Sequence, residues 1–580
     1  MKKIFTYFKP YKWQSLLGPL FKLFEATFEL LVPIVVGLIV DKGLGARVLG
    51  GYPNANKGYI AGMCGVLAAF GLLGLLFSVV AQYFAARTAT GVSAGLRRDL
   101  FKKIQSLSYK DLDRLGSATL LTRMTSDVDR LQTGVNLGLR LFLRSPFIVF
   151  GAVLTACFID PSFFGVFALT VVALAIVVYA VMFACMPLYK KSQERLDEAL
   201  LSTRENLAGA RVIRAFCKEG EEEKLFSQRN ERLNKSRKFV DAIAAITNPL
   251  TCVIVNLGVI ALLWTGAIKV NAGTLTQGQV LALYNLMSQI LIELIKLANL
   301  IVTVTKAAAC GKRIQAVLDL EPSLKDGGGE RQETSEKPFI RFEHVSVKYN
   351  DEADPALEGV DFFAERGETV GVIGGTGSGK TTLVNLLPRF YDVNDGGVFV
   401  DGQNVKSAVI KDLRERIGVV PQKAQLFKGS IRENLLWGKT TATDEELWQA
   451  LKIAQAEEFV KEKGGLDAPV EQGGKNFSGG QKQRLTIARA LVRKPEILIL
   501  DDSSSALDYA TDACLRREIK NLKTTTFIVS QRVSSVRHAD KIIVLDDGKT
   551  AGVGTHDELL ETSSVYREIY LSQSKEGGAI

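Results

Sequence analysis

Gly374-Gly-Thr-Gly-Ser-Gly-Lys-Thr381 follows the short apolar run Val370-Gly-Val-Ile373 and leads into Leu383-Val-Asn-Leu-Leu387. A buried strand, a glycine-rich turn and a helix in that order are the context a phosphate-binding loop requires. Gly374, Gly375, Gly377 and Gly379 let backbone N–H groups approach phosphate oxygens without a Cβ in the way. The amino end of the helix adds a positive field. Thr376, Ser378 and Thr382 complete the stretch expected to wrap the phosphates. Lys380 is placed to reach the β- and γ-phosphates and Thr381 to ligate Mg2+.

Working outward, Ile497-Leu-Ile-Leu500 reads as a buried strand that delivers Asp501 to the same site. Its carboxylate would hold Mg2+ directly or through water. Val419-Val-Pro-Gln422 sets the amide of Gln422 at a strand end, where it would meet the metal and the attacking water. Tyr349 precedes the loop by 25 residues, and its ring is a candidate to stack on an adenine. Together these residues predict an ATP and Mg2+ site on an α/β scaffold.

The rest of the chain is different in kind. Its 580 residues are too many for one domain. They are 47% hydrophobic yet 23% charged, as expected when an apolar half is joined to an ordinary soluble one. All the long apolar runs lie in residues 1–310 and none in 338–580. A bilayer core needs about 20 apolar residues per helix. Six segments qualify, at 15–39, 59–83, 141–159, 163–187, 246–268 and 280–305. The connections at 41–57, 159–162 and 269–279 are short and poor in Lys and Arg, whereas 87–136 and 188–238 are long and rich in both. That bias predicts six spans with the long connections and both termini in the cytoplasm.

The net charge of +10 could suggest nucleic acid, but the basic residues flank apolar segments, which points to the bilayer and away from nucleic acid. The seven cysteines show no paired spacing, and the three histidines are scattered. Met1-Lys-Lys-Ile-Phe-Thr-Tyr-Phe-Lys-Pro-Tyr-Lys-Trp13 mixes basic and aromatic residues without a small-residue cleavage pattern, and so reads as an interfacial helix.

The long connections keep a helical apolar period, as in Leu96, Leu100, Ile104 and Leu107. The helices are therefore expected to leave the bilayer, continue into water and end in turns that dock a cytoplasmic domain. The bland alternative is a solvated, salt-bridged hairpin. Lys22, Glu25 and Glu29 fall in the first span, and Gln289, Glu293 and Lys296 share one face of the sixth. Charges at membrane depth usually face a cavity or a partner. Two readings stand: Gln289 and Glu293 line a substrate cavity, or Lys22–Glu25 and Glu293–Lys296 are mutual i,i+3 ion pairs. The polar, glycine-rich stretch ending at Pro338 reads as a linker. The expected division is a transmembrane domain at 1–315, a linker at 316–337 and a nucleotide-binding domain at 338–580.

Phe477-Ser-Gly-Gly-Gln-Lys-Gln-Arg484, lying between the phosphate loop and Asp501, resembles the signature of ATP-binding cassette (ABC) proteins, and Ser505-Ala-Leu-Asp508 resembles their D-loop. The stretches 116–127 and 204–216 resemble the coupling regions of ABC exporters, so the likeness spans nearly the whole chain. It implies an α-helical six-span domain fused to a P-loop cassette, a half-transporter that needs a second chain. It further implies that Ser478, Gly479, Gly480 and Gln481 close on ATP held by that other chain.

Two positions depart from the family pattern. Asp502 stands where Glu is expected as general base, and Gln531, in Val529-Ser-Gln-Arg532, where the switch histidine is expected. A shorter carboxylate reaches less far, and loss of a general base typically costs about 10²–10⁴ in rate. Gln donates a hydrogen bond but carries no proton or charge as His does. His538, seven residues on, is out of register to replace it. The set predicts a degenerate, ATP-holding site beside an intact signature. The partner is then a non-identical half-transporter with Glu and His restored. The expected function is ATP-driven export of amphipathic, drug- or lipid-like compounds across the bacterial inner membrane. The alternatives are an ATP-gated channel or regulatory subunit, and an importer on the exporter fold, for example for a siderophore.

Overall fold

The computed structural model describes residues 2–44, 56–329, 338–349, 354–503 and 506–576. The chain divides into two compact units, Met1–Gln105 with Ala118–Leu320, and Ser106–Ser117 with Glu321–Ile580.

The first unit is helical. Its main elements are α1 (Lys12–Leu38) and α2 (Lys57–Ser106); then, after the excursion of α3 (Tyr109–Leu115) into the second unit, α4 (Val128–Leu141), α5 (Arg144–Ile159), α6 (Phe164–Ala208), the short α7 (Ala210–Ala215), α8 (Glu219–Ala245), α9 (Thr247–Asn271) and α10 (Gln277–Asp319). Among the described residues, six segments are long and apolar enough to cross a membrane: Lys9–Gly43, Lys57–Ser106, Ser117–Ile159, Pro161–Ala208, Glu219–Asn271 and Gln277–Asp319. Each contains one of the apolar runs read from the sequence. Small residues let the helices approach closely, as membrane helices require in the absence of a hydrophobic drive between them. A Cβ on Gly278 of α10 would lie 2.0 Å from the Gly37 carbonyl oxygen of α1, and one on Gly134 of α4 2.2 Å from Ala307 Cβ. A π-turn at Ile39–Gly43 brings Asp41 to the start of α10, where it accepts hydrogen bonds from Gly278 N (2.7 Å) and Thr276 Oγ1 (2.5 Å). The amino-terminal stretch is packed against α2: Tyr7 donates to Asp99 (2.8 Å), and Tyr11 leaves no room for a Cβ on Gly91.

The charges at membrane depth are paired. Glu293 is 2% exposed and accepts from Arg144 Nη1 (2.8 Å), Ser145 Oγ (2.8 Å) and Lys296 Nζ (2.8 Å). The other Arg144 fork reaches Glu29 (2.5 Å), and Lys22 pairs with Glu25 and donates to Ser78 Oγ (3.1 Å). Both i,i+3 pairs anticipated from the sequence form. Arg144, from a different helix, was not part of that reading, because no local spacing links it to Glu293.

The second unit is α/β. Strands β1 (Ile340–Val347) and β2 (Leu357–Ala364) are followed by β3 (Thr369–Gly374) and α11 (Lys380–Leu386). Then come β4 (Asp395–Val400), β5 (Gln403–Asn404), β6 (Ile417–Val420), and the two-residue strands β7 (Gly429–Ser430) and β8 (Pro469–Val470). The rest includes α12 (Gly479–Val492), β9 (Ile497–Asp501), α13 (Tyr509–Asn521), β10 (Thr525–Val529), β11 (Lys541–Asp546), β12 (Lys549–Gly554), α14 (His556–Thr562) and α15 (Ser564–Glu576). A six-stranded sheet runs β12-β11-β3-β10-β9-β6, parallel apart from its β12 edge; an antiparallel sheet runs β2-β1-β4-β5. Strands β9 and β10 are buried along their whole length, and Val370, Val372 and Ile373 of β3 are also buried, as continuous Ile/Leu/Val runs in a covered parallel sheet should be. Strands β3, β10 and β9 end side by side, with Val529 in register with Val372 and Asp501. Ligands of open parallel sheets bind beyond such carboxyl ends.

The stretch 116–127, read as part of the helix extensions, overlaps the turn that belongs to the second unit, Ser106–Ser117, only at its start. Gly116 (φ 74°) ends α3, helix resumes at Ser117, and residues 118–127 belong to the first unit. The stretch read as a linker is helical as far as Asp319, and two of its glycines, Gly327 and Gly329, make close approaches. A Cβ on Gly327 would lie 2.2 Å from the Ser407 carbonyl; Gly329 N donates to Ser407 O (3.0 Å) and Ile410 N to Asp326 (2.9 Å). The remainder of that reading, 330–337, lies outside the described residues, as does Ser505 of the D-loop-like stretch.

Candidate nucleotide site

The loop 374–381 turns from β3 into α11 through two left-handed glycines, Gly377 (φ 87°) and Gly379 (φ 92°), positions an L side chain would strain. Gly379 also passes so close to Ala356 that a Cβ would lie 2.5 Å from its carbonyl oxygen. Lys380 Nζ donates to the Gly374 (3.0 Å) and Gly375 (2.5 Å) carbonyls and lies 3.3 Å from Ser378 Oγ. Burial pushes its ammonium below the usual lysine range, while Asp502 and Asp501 pull it back up.

A cavity of about 360 Å³ opens over this loop. From the loop side it is lined by Thr376, Gly377, Gly379, Lys380, Thr381 and Thr382; from the strand ends and their loops by Gln422, Asp501, Asp502, Val529 and Gln531; and from the β1 side by Tyr349. Gly374, Gly375 and Ser378 belong to the loop but do not line the space. Thr381 Oγ1 donates to Asp501 Oδ1 (3.0 Å). Burial raises the Asp501 carboxyl above its ordinary value, Asp502 adds to the rise, and the Thr381 bond opposes it. Asp502 is left-handed (φ 44°), a region Asp tolerates better than most side chains, and its carboxylate accepts from Gln422 Nε2 (3.3 Å). The Tyr349 hydroxyl lies 2.9 Å from Thr382 Oγ1 and its ring is partly exposed.

Gln531 is exposed at the rim, and its carbonyl is held by Gln573 of α15. The Gln573 amide donates to Gln531 O (2.7 Å) and accepts from Val533 N (2.8 Å), bracing the loop on both sides. Nothing in the sequence pattern singled out Gln573, which lies 42 residues away. His538 lines a different cavity, with Tyr509 and Arg516, and does not reach the phosphate loop.

The signature segment is elsewhere. Ser478 caps α12, its hydroxyl accepting from Gln481 N (3.3 Å) while Gln481 Oε1 accepts from Ser478 N (3.1 Å), a reciprocal box that fixes the helix start. Gly480 packs close to the Ala506 carbonyl, 2.9 Å from where its Cβ would be, whereas a Cβ on Gly479 would meet nothing within 4 Å. None of Ser478, Gly479, Gly480 and Gln481 lines the cavity of its own chain.

The comparisons agree with this geometry. The family model for the ABC transporter transmembrane region matches residues 15–294, and the ABC transporter model matches residues 357–505. The chain is 34% identical over 574 residues to the uncharacterized ABC transporter ATP-binding protein YfiB of Bacillus subtilis, covering 99% of this chain and 98% of that protein. It is 30% identical over 589 residues to a candidate multidrug export ATP-binding/permease protein of Staphylococcus aureus, covering 99% and 100%. Among solved structures, a bacterial Atm1-family ABC exporter with ATP bound matches with a TM-score of 0.78 at 23% identity over 98% of each chain, a likeness of fold.

Proposed function

The chain belongs to the ABC transporter family, and from that premise we propose that it is the degenerate half of a heterodimeric exporter. It would move amphipathic or hydrophobic compounds, drug- or lipid-like, out across the bacterial inner membrane. The observation that carries the reading is the make-up of the 360 Å³ cavity: every residue type needed to hold ATP faces it, together with Asp502 and Gln531 where chemistry asks for Glu and His.

Loop amides, Lys380 and Tyr349 hold the nucleotide by phosphate and base. The Thr381 hydroxyl, the Asp501 carboxylate and the Gln422 amide are hard oxygen donors of the kind Mg2+ takes alongside phosphate oxygens. Bound there, Mg2+ would neutralise charge on the transferred phosphoryl group. Asp502 stands one methylene short of a general base and is engaged by Gln422, so water activation at this site is slow. Ser478 to Gln481, which do not line their own chain's cavity, complete the site of a non-identical partner. An extruded cargo, described in the S. aureus relative as a drug, fits a first unit with an intramembrane polar focus. There the half-open Glu29 is offered to cargo, beside Gln289, whose side-chain oxygen is buried with no hydrogen-bond partner among the described residues. Glu293 orients Arg144 and Lys296 behind them.

The test is to purify the chain alone in nanodiscs and measure ATP binding and hydrolysis separately. Tight ATP binding with turnover at least about 10²-fold below a matched homodimer carrying Glu and His is expected; vigorous hydrolysis by the chain alone would overturn the proposal. ATP-dependent accumulation of amphipathic dyes in inside-out vesicles carrying both chains reads the direction.

A further inference from the structure

Gln573 stands on α15, well beyond the 357–505 stretch that the ABC transporter model matches, yet its side chain meets the loop that carries Gln531. That loop leaves β10 and enters a single helical turn, Val533–Val536. Part of its main chain is satisfied nearby: Ser530 N donates to Val372 O of β3 (3.1 Å), and Arg532 N to Ser530 Oγ (3.0 Å). The Gln531 carbonyl and the Val533 amide, which flank Arg532, both go to Gln573. Taking a carbonyl and an N–H at once requires a donor and an acceptor on one side chain. A primary amide has both, whereas a carboxylate, an ammonium or a thioether does not.

The helix that carries this amide is firmly seated. Tyr566 is fully buried, its hydroxyl 2.8 Å from His556 Nδ1, and Ile569 and Tyr570 pack against the same core. Arg567 donates to the carbonyls of Leu560 (2.7 Å) and Glu561 (2.8 Å), tying α15 to the end of α14. Tyr566 and Gln573 are seven residues apart, two turns along one helix face, so the buried tyrosine fixes where the amide is delivered. Gln573 does not line the nucleotide cavity, whereas Gln531 does. What it holds is main chain at and just beyond Gln531, and that main chain sets where the Gln531 side chain points.

We propose that Gln573 is a positioning residue for the nucleotide site, aiming the Gln531 amide at the γ-phosphate of bound ATP. Helix α15 is then a working part of the site, acting through position 531. Without the Gln573 amide the 531 carbonyl is released and the Val533 N–H, an early donor of a helical turn, is stranded. The phosphate loop and Tyr349 keep their places. The proposal rests on the reading that Gln531 meets the γ-phosphate, and the experiment separates the two.

Full-length protein in nanodiscs is titrated with ATP and with ADP, each with Mg2+, and the ratio of the two affinities is read. ADP lacks the γ-phosphate and so reports the rest of the site. Gln573→Met keeps the length of the side chain and removes both bonds. It should lower the preference for ATP over ADP about tenfold, the scale of one hydrogen bond to a charged group, with ADP affinity unchanged. Gln573→Glu keeps an acceptor for Val533 and should lose the preference as well, because the donor to Gln531 is gone. Gln531→Ala should show the same loss, and adding Gln573→Met to it should cost nothing further, as action through position 531 requires. A merely structural role would weaken ATP and ADP together and would add to the effect of Gln531→Ala. Either of those results, or a wild-type preference in Gln573→Met or Gln573→Glu, overturns the proposal. An unchanged preference in Gln531→Ala would instead overturn the γ-phosphate reading of that position.

Discussion

At the scale of single residues, Asp502 and Gln531 are where this chain departs from the family's residue pattern, and both line the cavity over the phosphate loop. Asp502 holds a left-handed backbone and shares the cavity with Lys380 and Asp501. Gln531 projects from a loop that Gln573 pins through its backbone, so the side chain can change without moving the loop. Asp502→Glu with Gln531→His should therefore raise steady-state hydrolysis by the purified chain at least about tenfold, within the range that a restored general base supplies. Phosphate release assays on the double variant check this; no gain would mean that the slow step lies outside these two positions. The phosphate loop, Asp501 and Gln422 were legible in the sequence because each sits on a contiguous strand-to-loop pattern. Gln573 and the Tyr391–Asp113 contact were not. Their partners lie 42 and 278 residues away, with no period or motif to connect them.

At the scale of elements, the spans were readable from apolar run length, but what pins them together was not. The run at 141–159 is represented by α5, which starts at Arg144 after a break at Phe142 and Leu143, and that start is where three helices exchange charge. Arg144 joins Glu29 of α1 to Glu293 of α10, and both Arg144 and Glu293 are nearly inaccessible. Removing Arg144 leaves the buried Glu293 with only the part-exposed Lys296 as its cation, and losing one partner of a buried pair costs more than deleting the pair together. Arg144→Met should destabilise the detergent-solubilised protein by on the order of 3 kcal/mol, seen as a lowered thermal midpoint. Arg144→Met combined with Glu293→Gln should recover a large part of it. If the double variant is as unstable as the single, the cluster is not a mutual ionic pin. In the stretch read as a linker, Gly327 and Gly329 look flexible by composition, yet a Cβ at either would run into Ser407.

At the scale of the whole molecule, asymmetry makes a prediction about which chain needs which motif. In the proposed dimer of this chain with a Glu- and His-bearing partner, the Lys380 side would serve the degenerate site and the Ser478 side the partner's. Gly479 allows the two to be told apart, because a Cβ there meets nothing within 4 Å in its own chain, while Gly480 is already hemmed in by Ala506. Gly479→Asp should thus leave folding and this chain's own ATP binding intact, yet put a negative charge where a γ-phosphate approaches. Loss of oxyanion-type donors alone costs about 10²–10³ in rate, so hydrolysis by the mixed dimer should fall by at least that much. Lys380→Ala in the same chain should weaken its own ATP binding and lower mixed-dimer turnover only several-fold. Both variants are scored by radiolabelled ATP retention for binding and phosphate release for turnover. Equal and large losses from both would mean two working sites, and a Gly479→Asp dimer with normal turnover would mean that the signature does not act across the interface.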